Sequence, residues 1–117
     1  MPTLFHLSTC STCRRIISEL GERPDLVLQD IKTRPLSAEQ LAAMRERVDS
    51  YESLFTRRSR QFRARGLHER ELSEDEYRRL ILEEYTFLKR PVLLTDEAVF
   101  AGNAKATVAA MREALDK

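Results

Sequence analysis

At 117 residues, with 42% hydrophobic and 33% charged side chains, the chain has the make-up of one globular domain that buries roughly two-thirds of its unfolded surface. Twenty basic against nineteen acidic residues leave a formal charge of +1, which singles out neither a nucleic acid nor an acidic surface as partner. No apolar run approaches the ~18 residues of a membrane span, and "MPTLFHLSTC" has neither the basic opening nor the apolar core of a secretion signal, so a cytoplasmic location is expected.

The first predicted element is a strand over residues 3–7, "TLFHL", ending in small polar residues of the kind that join a strand to a helix. Cys13, Ile16, Ile17 and Leu20 then recur at helical spacing, with Gly21 and Pro24 beyond them as stop signals, which predicts a helix over 11–20. A second strand is expected in "DLVLQDI", residues 25–31, completing a βαβ unit with parallel strands. After Pro35, Ser37 with Gln40 three residues on forms a capping box, and the helix it opens should carry Leu41, Met44 and Val48 on one face. An arginine-rich stretch, "FTRRSRQFRARGLHER", is punctuated by Gly66. A second capping box, Ser73 with Glu76, opens a helix expected to line up Tyr77, Leu80, Ile81 and Leu88. "RPVLLTD" and "EAVFAG" read as a hairpin turning at Asp96 and Glu97, and a last helix carries Val108, Met111 and Leu115. The order is βαβ, about sixty helical residues, then ββα. That is an α/β chain with the thioredoxin arrangement: a four-stranded mixed sheet interrupted by a helical insert.

Both cysteines of the chain fall in the predicted strand-to-helix loop, spaced C-x-x-C. In a reducing compartment a structural disulfide does not persist, so the pair points to redox chemistry or metal binding. A zinc site needs about four ligands, and the remaining candidates, His6 and His68, match no common zinc spacing; no metal is expected. Inert burial is the other alternative, because free cysteine packs as a small hydrophobe. Redox chemistry has a physical basis at this position: unpaired N–H groups and the dipole of a helix start favour the thiolate, which is the reactive form. Cys10, at the helix start, is the expected nucleophile. Cys13, one turn in, is the expected resolving thiol.

Arg90-Pro91 precedes the third strand, where proline costs no needed donor and an X-Pro bond can be cis. In thioredoxin-like folds such a proline faces the active cysteine, so a cis Pro91 beside Cys10 is expected. The run Arg57, Arg58, Arg60, Arg63, Arg65, Arg70 reads as a solvated basic face, an oxyanion pocket or a nucleic-acid patch. The adjacent "ELSEDE" partly neutralises it and no nucleic-acid motif accompanies it, so direct nucleic-acid binding is not expected.

Four segments, in order and across nearly the whole length, resemble the arsenate reductase/Spx family, often called ArsC-like: "FHLSTCSTCRR", "DIKTRPLSAEQL", "FTRRSRQFRARGL" and "FLKRPVLLTDEAVFAGN". The resemblance implies a single domain over 1–117, with a thioredoxin-like core at about 1–34 and 89–117, a helical insert at about 35–88, and a monomer. It implies Cys10 as catalytic nucleophile with His6 near the thiolate, and Arg58 and Arg90 as oxyanion-binding arginines, with Arg57 one residue away in the alignment. Arg14 and Pro91 join them in the expected substrate-binding set. No bound cofactor is implied; glutathione with glutaredoxin, or thioredoxin, would be the external reductant of an oxyanion or disulfide substrate. Two departures bear on arsenate. Asn103 stands where classical reductases carry a third arginine, and Cys13 gives the C-x-x-C of Spx-type regulators, which bind the RNA polymerase alpha subunit and use the pair as a redox switch.

Overall fold

In the computed structural model, which describes residues 1–117, the chain divides into two units: residues 1–34 with 90–117, and residues 35–89. The first unit contains strand β1 (Thr3–His6), helix α1 (Ser11–Leu20), strand β2 (Val27–Asp30), strand β3 (Val92–Leu94), strand β4 (Val99–Ala101) and helix α5 (Lys105–Leu115). The strands form one sheet in the order β2-β1-β3-β4. β1 runs parallel to β2, from Thr3 opposite Val27 to His6 opposite Asp30, and antiparallel to β3, which pairs antiparallel with β4. This is the mixed, thioredoxin-like sheet that the element order predicts.

Strand side chains alternate between faces, so Leu4 and Phe5 point to opposite sides of β1, and both are fully buried. On the Leu4 side the core comprises Leu4 and Leu93 from the sheet, Ile16 and Leu20 from α1, and Val108 and Met111 from α5. Each such side chain contributes about 1.5–3 kcal/mol on burial. α1 stops where Gly21 takes φ +81°, a left-handed value that favours glycine, and its N–H bonds the carbonyls of Ile17 and Ser18. β2 is shorter than the expected 25–31, because Leu26 N–H closes a turn onto Arg23 O and the strand begins only at Val27. The hairpin turns as read: Thr95 N–H bonds Ala98 O at 2.9 Å, with Asp96 and Glu97 at the tip.

The second unit holds helices α2 (Ala38–Arg45), α3 (Arg60–Ala64) and α4 (Glu74–Glu83), with short 3-10 turns at Glu52–Leu54, Leu67–Glu69 and Tyr85–Phe87. Both capping boxes form, Ser37 with Gln40 and Ser73 with Glu76, each satisfying two backbone N–H groups. The core of this unit is aromatic: Phe55 lies 4.9 Å from Tyr77, 5.0 Å from Phe87 and 6.0 Å from Phe62, ring centre to ring centre.

Two helices end earlier than their apolar spacing suggests. Val48 lies beyond α2, where Arg47 N–H bonds Met44 O in a tighter turn and the Arg45 guanidinium takes Val48 O at 2.8 Å. Leu88 lies beyond α4: Glu84 is extended, its carboxylate caps the N–H and hydroxyl of Thr86, and Leu88 instead forms a bridge with Phe55. In both places a long-range or side-chain hydrogen bond outcompetes continuation of the helix.

Candidate active site at the start of the first helix

The chain leaves β1 at His6, turns through Leu7, Ser8 and Thr9, and enters α1 with Cys10 at the N-cap position. Cys10 N–H bonds Leu7 O at 2.9 Å and Arg14 N–H bonds Cys10 O at 3.1 Å, so the cysteine sits at the junction of a turn and the first helical turn. Residues 11–13 follow in helical geometry, which puts Cys13 one turn deeper and on the same side as Cys10. Cys10 is half-buried and Cys13 fully buried; both are free thiols.

The two thiols ionise in opposite senses. Partial burial is the largest single influence on Cys10 and opposes its thiolate. The N–H of Cys13, the Cys13 thiol, the N–H of Thr12 and the charge of Arg90 together outweigh it and hold Cys10 below its ordinary value. Its sulfur closes no geometrically complete cap hydrogen bond, so these N–H groups act as dipoles aimed at the helix start. Cys13 is pushed up to about 11, first by burial and then by the charge of Cys10, against the pull of the Leu7 N–H and Arg90. Cys13 therefore keeps its proton to higher pH than Cys10 does.

Arg90 comes from the segment leading into β3; its bond to Pro91 is cis, Pro91 is buried, and Pro91 O accepts Gly102 N–H at 2.9 Å. Arg14 is exposed and donates from Nη1 to Ser8 O at 3.2 Å, tying α1 back to the loop. His6 is held neutral chiefly by burial, partly countered by the charge of Asp30, its cross-strand neighbour; its Nδ1 is buried without a hydrogen-bond partner. Arg58 belongs to the second unit, where it is exposed and its N–H bonds Thr56 Oγ1. Its neighbour Arg57 is committed to Glu52 Oε2 at 2.7 Å and the Tyr77 hydroxyl at 2.8 Å. Asn103 is exposed in the segment between β4 and α5.

One feature of the site has no counterpart among the residues read from the sequence. Asp30, at the end of β2, accepts the Ser8 hydroxyl at 2.6 Å on Oδ2, and Ser8 N–H at 3.4 Å and Lys32 N–H at 3.1 Å on Oδ1. These bonds, the Ser8 hydroxyl foremost, hold its carboxyl below the usual range. A separation of 22 positions between Ser8 and Asp30 hides the pair; its one signal is an acid ending a strand that is parallel to the strand before the cysteine loop. No group of three or more His, Cys, Asp or Glu side chains is gathered to hold a metal.

Known proteins match both the sequence of this chain and its fold. A model described as ArsC family covers residues 5–111 of this chain. The chain belongs to the ArsC family. The global transcriptional regulator Spx of Streptococcus mutans is 30% identical over 105 residues, spanning 87% of this chain and 76% of that protein. An arsenate reductase (ArsC) related protein from Brucella melitensis is 26% identical, with a TM-score of 0.68 over 93% of this chain and 92% of that one. The arsenate reductase of Vibrio cholerae, 16% identical, shares the fold with a TM-score of 0.77 over 93% and 95% of the two chains. This chain is thus similar both to proteins named as arsenate reductases and to one named as a transcriptional regulator.

Proposed function

We propose that this ArsC-family protein is a thiol–disulfide oxidoreductase in which Cys10 is the nucleophile and Cys13 resolves. The observation that carries the reading is the opposed ionisation of the two thiols at one helix start. The Cys10 thiolate attacks one sulfur of a disulfide or glutathione adduct, forming a mixed disulfide and expelling the other sulfur as thiolate. That bond removes the negative charge that raised Cys13, so the resolving thiol becomes easier to ionise only after the first step. Cys13 then gives up its proton and attacks the Cys10 sulfur, releasing the bound group as a thiol and closing the Cys10–Cys13 disulfide. A two-electron external donor, glutathione with glutaredoxin or thioredoxin, returns both cysteines to thiols.

Arsenate as the substrate is the finer form of this reading. Its oxyanion would be met by Arg90, since arginine donates bidentate charge-assisted hydrogen bonds to planar or tetrahedral oxyanions, and Arg58→Ala tests the second arginine that the resemblance implies. Asn103 contributes no charge to that set. The second reading, a redox-sensing transcription regulator that docks on the RNA polymerase alpha subunit, is favoured by the 30% identity to Spx.

Arsenate-dependent NADPH oxidation, coupled through glutathione and glutaredoxin, tests the enzyme, with a low-molecular-weight disulfide as parallel substrate. Turnover of either that vanishes in Cys10→Ser supports it. Wild type and Cys10→Ser equally inactive on both, with capture of the purified polymerase alpha subunit that depends on the thiol state, supports the regulator.

A further inference from the structure

Cys10 reaches the helix start on a three-residue loop, and that loop is clasped from two sides. From β2, the Asp30 carboxylate takes the Ser8 hydroxyl and Ser8 N–H; from α1, the Arg14 guanidinium takes Ser8 O. Asp30 is itself fixed, because its backbone carbonyl accepts Arg34 N–H at 2.8 Å, its side chain accepts Lys32 N–H, and its strand is in register with β1 at His6. Ser8 thus has its N–H, hydroxyl and carbonyl all engaged, two residues before the nucleophile. We propose that Asp30 is a positioning residue for Cys10, which by anchoring Ser8 holds the loop so that the sulfur meets the N–H groups of Thr12 and Cys13. This rests on the reading of Cys10 as nucleophile.

The proposal has a sign that separates it from a simpler effect. Asp30 is negative, and a like charge felt directly by Cys10 disfavours the thiolate. Removing that charge alone therefore makes Cys10 more acidic. Losing the clasp does the opposite, because a sulfur displaced from the helix start loses the dipoles that stabilise it. The charged and titratable groups around Cys10 are Cys13 on α1, Arg90 before β3, Arg14 at the loop carbonyl, and His6 on β1, which is neutral. A substitution at Asp30 or Ser8 replaces none of these groups, and losing the Asp30 charge only lowers His6 further, which keeps it neutral.

The experiment measures the pH dependence of Cys10 alkylation by iodoacetamide in the full-length reduced protein, with Cys13→Ala as background so that one thiol reports. Asp30→Ala and Ser8→Ala are compared with Asp30→Asn, whose amide oxygen can still accept the Ser8 hydroxyl. The expected result is a Cys10 midpoint about one unit higher in the two alanine variants. Well below the parent midpoint the alkylation rate then falls about three- to fourfold, since the tenfold loss of thiolate is partly offset by its greater nucleophilicity. Asp30→Asn, which loses the charge and keeps an acceptor for the Ser8 hydroxyl, stays at or slightly below the parent. Melting temperatures measured alongside separate this from general loosening, which lowers the melting temperature without moving the midpoint. Unchanged midpoints in both alanine variants, or lower midpoints in both Asp30 variants, overturn the proposal. A parent Cys10 that titrates as an ordinary thiol takes the function reading down as well, whereas an acidic parent with unmoved variants removes only the role of Asp30.

Discussion

Cys13 buries a protonated thiol directly behind the partly exposed Cys10, and each sets the other's ionisation: the Cys13 thiol favours the Cys10 thiolate, and the Cys10 charge holds the proton on Cys13. At neutral pH this predicts that iodoacetamide labels one cysteine of the reduced protein, and peptide mass spectrometry should place the label on Cys10. Cys13 becomes reactive only as the pH approaches about 11. Equal labelling of the two thiols at neutral pH contradicts the arrangement.

The same shifts make stability depend on pH with opposed signs. For Cys10, the folded value lies below the unfolded one, so between the two the unfolded chain binds more protons and stability rises with pH. For Cys13 the folded value is the higher, so the contribution is full below the ordinary thiol value and is lost as pH rises from there to about 11. Urea unfolding of the reduced protein should show a falling midpoint over that upper window, and Cys13→Ala should flatten the fall. An identical decline in wild type and Cys13→Ala would mean that other groups cause it.

Arg90 acts on Cys10 by charge, which screening weakens. Arg90→Gln should raise the Cys10 titration midpoint, and the gap from wild type should narrow between low salt and 1 M, where the screening length is about 3 Å. A gap that ignores salt would assign the effect to packing of the Arg90-Pro91 segment.

In the second unit, Phe55 is 2% exposed and touches three aromatic rings. Phe55→Ala leaves a cavity that those rings cannot fill, and should cost about 3–5 kcal/mol in chemical denaturation. A loss under about 1 kcal/mol would show that the cluster collapses around the gap.

The capping box of α4 is a smaller, local case. Ser73→Ala removes the acceptor of Glu76 N–H and should cost about 1 kcal/mol, with Ser73→Asp recovering most of it because aspartate caps as well and favours the positive end of the helix.

Reading the chain in order recovers the four strands and helices α1, α2, α4 and α5, because the deciding forces there are local; it does not recover α3 in the arginine-rich stretch. The Ser37/Gln40 and Ser73/Glu76 boxes form within one turn, and the three-residue spacing of Cys10 and Cys13 is one helical turn, so both are legible from spacing alone. The arrest of α2 before Val48 and of α4 before Leu88 is less so. Apolar periodicity continues through both positions, while Arg45 and Glu84 pull the backbone into other bonds and Leu88 finds Phe55 more than thirty residues away.

The sequence by itself determined the order of elements, the sheet type and the loop that carries the thiols, because patterning, caps and turn residues act over a few neighbours. Only the tertiary structure decided that Asp30 grips Ser8, that Asp30 is also the charge facing His6, and that Arg57 is spent on Glu52 and Tyr77 while Arg58 stays exposed. Those pairings depend on strand register and on side chains brought together across long stretches of chain. Their partners are chosen by geometry that no local pattern encodes.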